Sequence, residues 1–292
     1  MRSLLFTPGD SDRKLAKGLT SGADVILIDL EDAIASEQKV FAREKVVEFL
    51  GYDDARNAPM PLYVRINDLE SEWALDDLKA VIPARPAGIM LPKPRSQSDV
   101  DTLCRHMDEL EKKEELPVGE ISVIVIAPEI ADALVNIATF QNCDQRVKGI
   151  TWGSEDLATS LGARSSRDDE GRYRTPMEHA RTMCLCVGAT AEIHAIDTVY
   201  PDFRDLDGLR HDCARAAADG FSGKLAIHPD QVAVINDAFS PSEVDISHSK
   251  KIIAGFKANP GAGVINIDGA MVDRPHLSLA LKVLERAGLE TS

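Results

Sequence analysis

The sequence predicts an α/β chain built as a (β/α)8 TIM barrel with a C-terminal helical lid, and three observations carry that reading. Eight short apolar, mostly β-branched runs are separated by helical patterns. They recur about every thirty residues, the length of a strand-plus-helix unit. Nearly every run ends in a charged or polar residue, where a barrel builds its functional face.

The runs are Ser3–Thr7, Val25–Leu30, Leu62–Ile66, Gly88–Leu91, Ser122–Ala127, Lys148–Thr151, Glu192–Ile196 and Lys224–Ile227. Their near-continuous apolar character fits strands buried on both faces, as in a parallel sheet. Helical patterns between them cover Ser36–Leu50, Asp99–Lys113, Ala131–Phe140, Pro176–Val187 and Leu206–Ala218. A doubly wound open sheet is the competing architecture. Against it, the first run leads into Thr7-Pro8-Gly9-Asp10, which lacks the glycine fingerprint of a dinucleotide turn. The barrel is expected to occupy residues 1–239. Residues 240–292 hold a helix, a piece containing Gly261, Gly263 and Gly269, and a final helix from about Pro275 to Ala287. That segment is too short for a second domain and reads as a lid and oligomer arm.

Composition narrows the function. Of 292 residues, 44% are apolar, enough for a large core. Lys and Arg number 33 against 48 Asp and Glu, a net charge of −15 with no basic stripe, which argues against nucleic acid and against an anionic membrane as partners. The longest strongly apolar run, near Ile121–Ala127, is far short of a membrane span. No secretory leader is recognisable at the N-terminus, and the five cysteines are sparse and odd in number. A reduced, cytoplasmic chain is the expectation. Cys184 and Cys186 have no second pair at zinc spacing and are read as core packing in a helix.

The run ends supply Asp29, Glu31, Asp32, Arg65, Asn67, Lys93, Glu129, Glu155, Asp156, Asp197 and His228. Carboxylates crowded on one small mouth repel unless a cation sits among them. Mg²⁺ resolves that conflict, because a hard cation takes oxygen ligands. Arg65 and Lys93 bring positive charge for an anionic substrate, Arg65 with a planar fork suited to a carboxylate or an oxyanion. A structural ion pair from Arg65 to Asp29 or Glu31 is the alternative. Glu31 and Asp32 are read as supporting residues, since neighbours at a strand end usually point opposite ways. A Schiff base on Lys93 is conceivable, but a metal site explains the carboxylates and a Schiff base does not. Arg13, Lys14 and Lys17 form a locally basic patch on the first helix, readable as a rim for an anionic ligand or as a solvated face. Asp197 and His228 are read as buried support of the mouth. The remaining histidines, His276 among them, have no metal spacing.

Taken in order, RSLLFTPGD at Arg2–Asp10, ADVILIDLEDAI at Ala23–Ile34, KVFAR at Lys39–Arg43, VRIN at Val64–Asn67, IMLPK at Ile89–Lys93, WGSEDL at Trp152–Leu157, GFSGKLAIHPDQ at Gly220–Gln231 and DGAMVDRP at Asp268–Pro275 span nearly the whole chain. This series resembles the citrate lyase β-subunit-like family within the HpcH/HpaI aldolase superfamily, which includes malyl-CoA, citramalyl-CoA and β-methylmalyl-CoA lyases. The resemblance implies a (β/α)8 barrel, a homotrimer or hexamer, Mg²⁺, and a CoA or acyl-carrier thioester as substrate. It implies Glu129 and Asp156 as Mg²⁺ ligands and Arg65 as the oxo-acid binder. It implies that Phe6 and Lys17 contact CoA, and that the lid Asp273 serves a neighbouring subunit's site. Two positions depart from the family: Ile130 follows Glu129 where threonine is common, and Pro94 follows Lys93.

The expected reaction is reversible carbon–carbon cleavage of a 3-hydroxyacyl-CoA to a 2-oxo acid and acetyl-CoA or propionyl-CoA. Asp273 is the expected base towards the thioester carbon, made more basic by burial under a closed lid. Its other reading is a helix N-cap ahead of Arg274-Pro275. Alternatives are the β-subunit of a citrate lyase complex and a CoA-thioester-binding protein without catalysis. Thioester hydrolysis after cleavage is compatible with the same residues.

Overall fold

The computed structural model of the chain describes residues 1–289. Eight parallel strands close into a barrel in chain order: β1 (Ser3–Pro8), β2 (Val25–Asp29), β3 (Leu62–Arg65), β4 (Gly88–Leu91), β5 (Ser122–Ile126), β6 (Val147–Thr151), β7 (His194–Asp197) and β8 (Gly223–Ala226). The helices are α1 (Asp12–Leu19), α2 (Lys39–Gly51), α3 (Asp53–Arg56), α4 (Ala74–Val81), α5 (Gln97–Lys113), α6 (Ala131–Val135), α7 (Ser154–Ser160), α8 (Thr175–Thr190), α9 (Leu206–Asp219) and α10 (Pro229–Phe239). After them come α11 (Glu243–Ala258), the antiparallel hairpin β9 (Val264–Ile267) and β10 (Ala270–Asp273), and α12 (Arg274–Arg286). The chain divides into two compact units, Met1–Asn236 and the residues from Asp237 on.

Alternation along each strand makes two apolar layers. Leu4, Val25, Leu27, Tyr63, Met90, Ile124, Ile126, Ile196 and Leu225 fill the barrel interior. Their strand neighbours, such as Leu5, Ile26, Val64, Ile89 and Ile150, are also buried. Gly88 makes room for a large ring inside the barrel: a Cβ there would lie 2.0 Å from Tyr63 Cε1.

The expected strands are all present, with shifted ends. Strand two stops at Asp29 and strand three at Arg65, one residue earlier than expected in each case. Strand seven starts at His194, because Glu192 takes a left-handed backbone (φ 56°) that breaks an extended run. The helix expected over 131–140 splits into α6 and a 3₁₀ turn at Ile137–Asn142. Cys184 is buried, but Cys186 is exposed, so core packing holds for only one of them. Two residues apart on a helix point in different directions.

In the C-terminal unit, Ile252, Ile253 and Phe256 of α11 pack with Val272, Ala280 and Leu284. Gly255 lets the hairpin approach α11, since a Cβ there would meet Ile265 and Ile267 at 2.7 and 2.8 Å. The Gly-rich piece is this hairpin. Asp268 and Gly269 both have positive φ (52° and 89°), the requirement of a tight two-residue hairpin turn. Val264 and Met271, on the face away from α11, are exposed.

Candidate active site

Register builds the first part of the site. Asp29 and Arg65 are partners on neighbouring strands β2 and β3, at their C-terminal ends. Both share the inward parity of Leu27 and Tyr63, so both point into the mouth. There Asp29 Oδ1 accepts from Arg65 Nε and Asp29 Oδ2 from Nη2, each at 2.7 Å, a two-pronged pair. The guanidinium lies 4.6 Å from the centre of the Phe6 ring. Burial works against the Arg65 charge, but Asp29, Glu31 and Asp32 outweigh it and hold the group firmly protonated. The ion pair to Asp29 is present, and Arg65 nevertheless lines the cavity at the mouth.

Glu31 and Asp32 do not point opposite ways, contrary to expectation. β2 has ended at Asp29, so strand alternation no longer applies. Arg65 Nη1 lies 2.8 Å from Glu31 Oε2 and 3.3 Å from Asp32 Oδ2. Lys93 Nζ bonds to Glu31 and lies 3.2 Å from Asp32 Oδ1. Two cations thus hold both carboxylates on one side. Asp29 also accepts from the Glu31 and Ala33 backbone N–H groups at 2.9 and 3.1 Å, which fixes the turn. Lys39 does the same from below, donating from Nζ to the carbonyls of Leu30 (2.9 Å) and Glu31 (2.7 Å).

Glu129 follows β5 and is 2% exposed. The backbone N–H of Lys93 donates to its carboxylate, and Lys93 holds a left-handed backbone to do so (φ 51°). Burial raises the Glu129 pKa well above the carboxylate range, and the charges of Glu31 and Asp156 add to this. Gly153 provides the space: a Cβ there would lie 2.7 Å from Glu129 Cβ and 2.9 Å from Oε2. Asp156 sits in the first turn of α7, just after β6, with Lys93 Nζ at 3.8 Å from its Oδ1. Burial pushes the Asp156 pKa up, Asp32 adds to that, and Lys93 and Arg65 oppose it. Burial also takes Glu31 up to about 7. Asp32 goes the other way: burial opposes its charge, but Arg65 and Lys93 prevail.

These groups surround a cavity of about 410 Å³ whose walls include Phe6, Asp29, Asp32, Arg65, Glu129 and Asp156. Lys93 braces its rim through Glu31, Asp32 and Glu129. Lys17 is exposed on α1 and is not among the cavity-lining residues. Asp197 is buried, as expected, but behind the strands with Lys224, while His228 is only partly covered and stacks on Phe203 at 4.7 Å. Among the described residues no three His, Cys, Asp or Glu side chains are grouped to hold a metal by themselves. Glu129 and Asp156 instead form an all-oxygen pair with mutual repulsion, a donor set that suits Mg²⁺, which keeps waters and takes one or two carboxylates.

Asp273 lies in the C-terminal unit. It is the N-cap of α12, and its Oδ1 is 2.5 Å from His276 Nδ1. That contact lowers the Asp273 pKa. Within this unit Asp273 is therefore a weaker base than the expected buried form.

Sequence reasoning passed over Lys39, Gly153 and Lys224 as functional supports. Two had a signal: Lys224 opens the apolar run Leu225–Ile227, and Gly153 directly precedes a run of polar residues; Lys39, after Ser36-Glu37-Gln38, had none.

Comparison with known proteins agrees with this architecture. The HpcH/HpaI aldolase/citrate lyase family matches residues 2–229. A (3S)-malyl-CoA thioesterase of Cereibacter sphaeroides is 32% identical over 98% of this chain and 94% of its own. The mitochondrial citramalyl-CoA lyase of Homo sapiens is 32% identical over 96% of this chain and 83% of its own. The crystal structure of CitE from Mycobacterium tuberculosis in complex with magnesium, acetoacetate and coenzyme A superposes with a TM-score of 0.79 at 31% identity, covering 98% of both chains. Sequence match and fold together make this chain a member of the HpcH/HpaI aldolase/citrate lyase family.

Proposed function

We propose that the chain is a Mg²⁺-dependent lyase acting on a short 3-hydroxyacyl-CoA that carries a carboxylate on carbon 3, of malyl-CoA, citramalyl-CoA or methylmalyl-CoA type. The products are a 2-oxo acid and acetyl-CoA or propionyl-CoA. The observation that carries this reading is the buried Glu129 beside Asp156, facing the Arg65 guanidinium across one cavity. Glu129 and Asp156 would hold the cation. When bound, Mg²⁺ supplies Lewis acidity to the oxygens of the oxo-acid portion.

The rest of the work falls to the chain's own groups. Asp29 grips Arg65 by two nitrogens, so the guanidinium meets an anionic substrate already oriented. Its charge stabilises the oxygen that turns from hydroxyl to carbonyl. As the C2–C3 bond breaks, the hydroxyl proton leaves and the electron pair passes into the thioester as an enolate. Carbon 2 then takes up a proton, and in the reverse direction a base removes it. Asp273 is our assignment for that proton, delivered to the site of a neighbouring subunit in a homotrimer or hexamer. The exposed Met271 and Leu279 around it support such an arm, because a partner would cover them. Desolvation by that partner would restore the basicity that His276 removes. Lys93 steadies the carboxylates, Phe6 contacts CoA, and Lys17 with Arg13 and Lys14 offers positive charge to the CoA phosphates.

A second reading, hydrolysis of the thioester, is favoured by the similarity to a malyl-CoA thioesterase. The synthetic direction separates the two. Acetyl-CoA or propionyl-CoA with glyoxylate or pyruvate and Mg²⁺ is expected to give a new CoA thioester heavier by the mass of the oxo acid, and EDTA is expected to abolish it. Formation of free CoA from every pair, with neither an adduct nor the corresponding hydroxy diacid, contradicts the lyase.

A further inference from the structure

A second set of buried charges lies behind the strands, on the outer parity of β7 and β8. Asp197 and Lys224 are register partners there, as Asp29 and Arg65 are on the inner side. Lys224 is 0% exposed, an extreme position for a lysine. Its Nζ lies 2.8 Å from Asp197 Oδ2 and 2.8 Å from Asp212 Oδ2. Asp197 Oδ1 accepts from the indole Nε1–H of Trp152 at 2.8 Å. Asp212 Oδ1 accepts from Arg167 Nη2 at 2.9 Å. Arg167 lies 3.7 Å from the Tyr173 ring centre, and Tyr173 meets Trp152 edge-on at 5.0 Å. Arg181 of α8 adds a second cation, its Nε 3.4 Å from Asp197 Oδ1, so the circuit joins the end of β6, β7, β8, α8, α9 and the segment before α8.

Trp152 is where this circuit meets the site. It is 0% exposed and is the residue just before Gly153, whose missing side chain accommodates Glu129. Four residues after Trp152 comes Asp156. The indole is thus a peg driven through the outer layer at the start of the turn that carries one carboxylate and makes space for the other. Nothing in the cleavage chemistry uses Lys224 or Asp197, and a buried ion pair is a costly way to obtain stability alone.

We propose that Lys224, acting through Asp197 on the Trp152 indole, is a positioning residue for the β6–α7 turn and so sets the divalent-cation affinity of Glu129 and Asp156. This rests on the metal reading of those two residues. Partners behind metal ligands commonly change affinity by about 10–100-fold.

The test is Mn²⁺ binding to the full chain, followed by electron paramagnetic resonance, with no substrate present. Trp152→Phe keeps an aromatic edge against Tyr173 and removes only the N–H donor and part of the ring. It is expected to weaken Mn²⁺ binding by about tenfold. Leu78→Ala, a packing loss in α4 away from β6, β7 and β8, is expected to lower Tm with Mn²⁺ affinity unchanged. Lys224→Met leaves two carboxylates buried with less compensation and can fail to fold, so Trp152→Phe decides. Wild-type affinity in Trp152→Phe, or equal weakening in Leu78→Ala, overturns the proposal. No Mn²⁺ binding by the wild-type chain overturns the metal reading and this proposal together.

Discussion

Asp156→Asn is expected to reduce turnover by roughly a hundred- to a thousandfold, about 3–4 kcal/mol of transition-state stabilisation. The substitution is nearly isosteric, so the α7 turn keeps its shape while a ligand charge is lost. Stability is expected to move the other way. Burial and Asp32 raise the Asp156 pKa, so its ionised form costs the folded chain free energy above the ordinary carboxylate range. Asparagine removes that cost, and Tm at neutral pH is expected to hold or rise. Calorimetric titration of Mg²⁺ and a thermal melt check both halves. A variant that loses activity by unfolding would show a lowered Tm instead.

Asp273→Asn is expected to lose activity by a different route. Removing a positioned acid or base typically costs about 10²–10⁴ in rate. Asparagine is as good an N-cap as aspartate, so α12 should survive the change. Mg²⁺ and oxo-acid affinities are expected to match the wild type, with the loss confined to kcat. Deuterium exchange into the methyl group of acetyl-CoA, run with a bound oxo acid, reports the proton step directly and is expected to vanish in the variant. Retained exchange would leave Asp273 with its capping role alone.

The barrel was legible because two-sided burial writes eight apolar runs into the chain and the C-terminal ends stand out as charges. Asp29, Arg65, Glu129 and Asp156 were visible for that reason. The ion pair from Arg65 to Asp29 or Glu31 was one of two open readings, and the structure has both contacts. Register decides between the readings, since it sets Asp29 directly beside Arg65 on neighbouring strands. Glu31 and Asp32 were assigned opposite directions by strand logic that ends one residue before Leu30. Lys224 and Trp152 were hidden inside motifs whose inward and outward members look alike on paper. The β9–β10 hairpin does carry a signal, Asp268-Gly269 between short apolar stretches, but its strands are only four residues each and the glycines dominate the segment.

The most direct measurement is a time course with malyl-CoA, citramalyl-CoA and methylmalyl-CoA in the presence of Mg²⁺, with every thioester and free CoA followed by mass spectrometry. The expected result is that acetyl-CoA or propionyl-CoA and a 2-oxo acid appear together from one substrate, the thioester intact, and that EDTA stops the reaction. Free CoA with the intact hydroxy diacid as the first products, or cleavage that persists in EDTA, would contradict it.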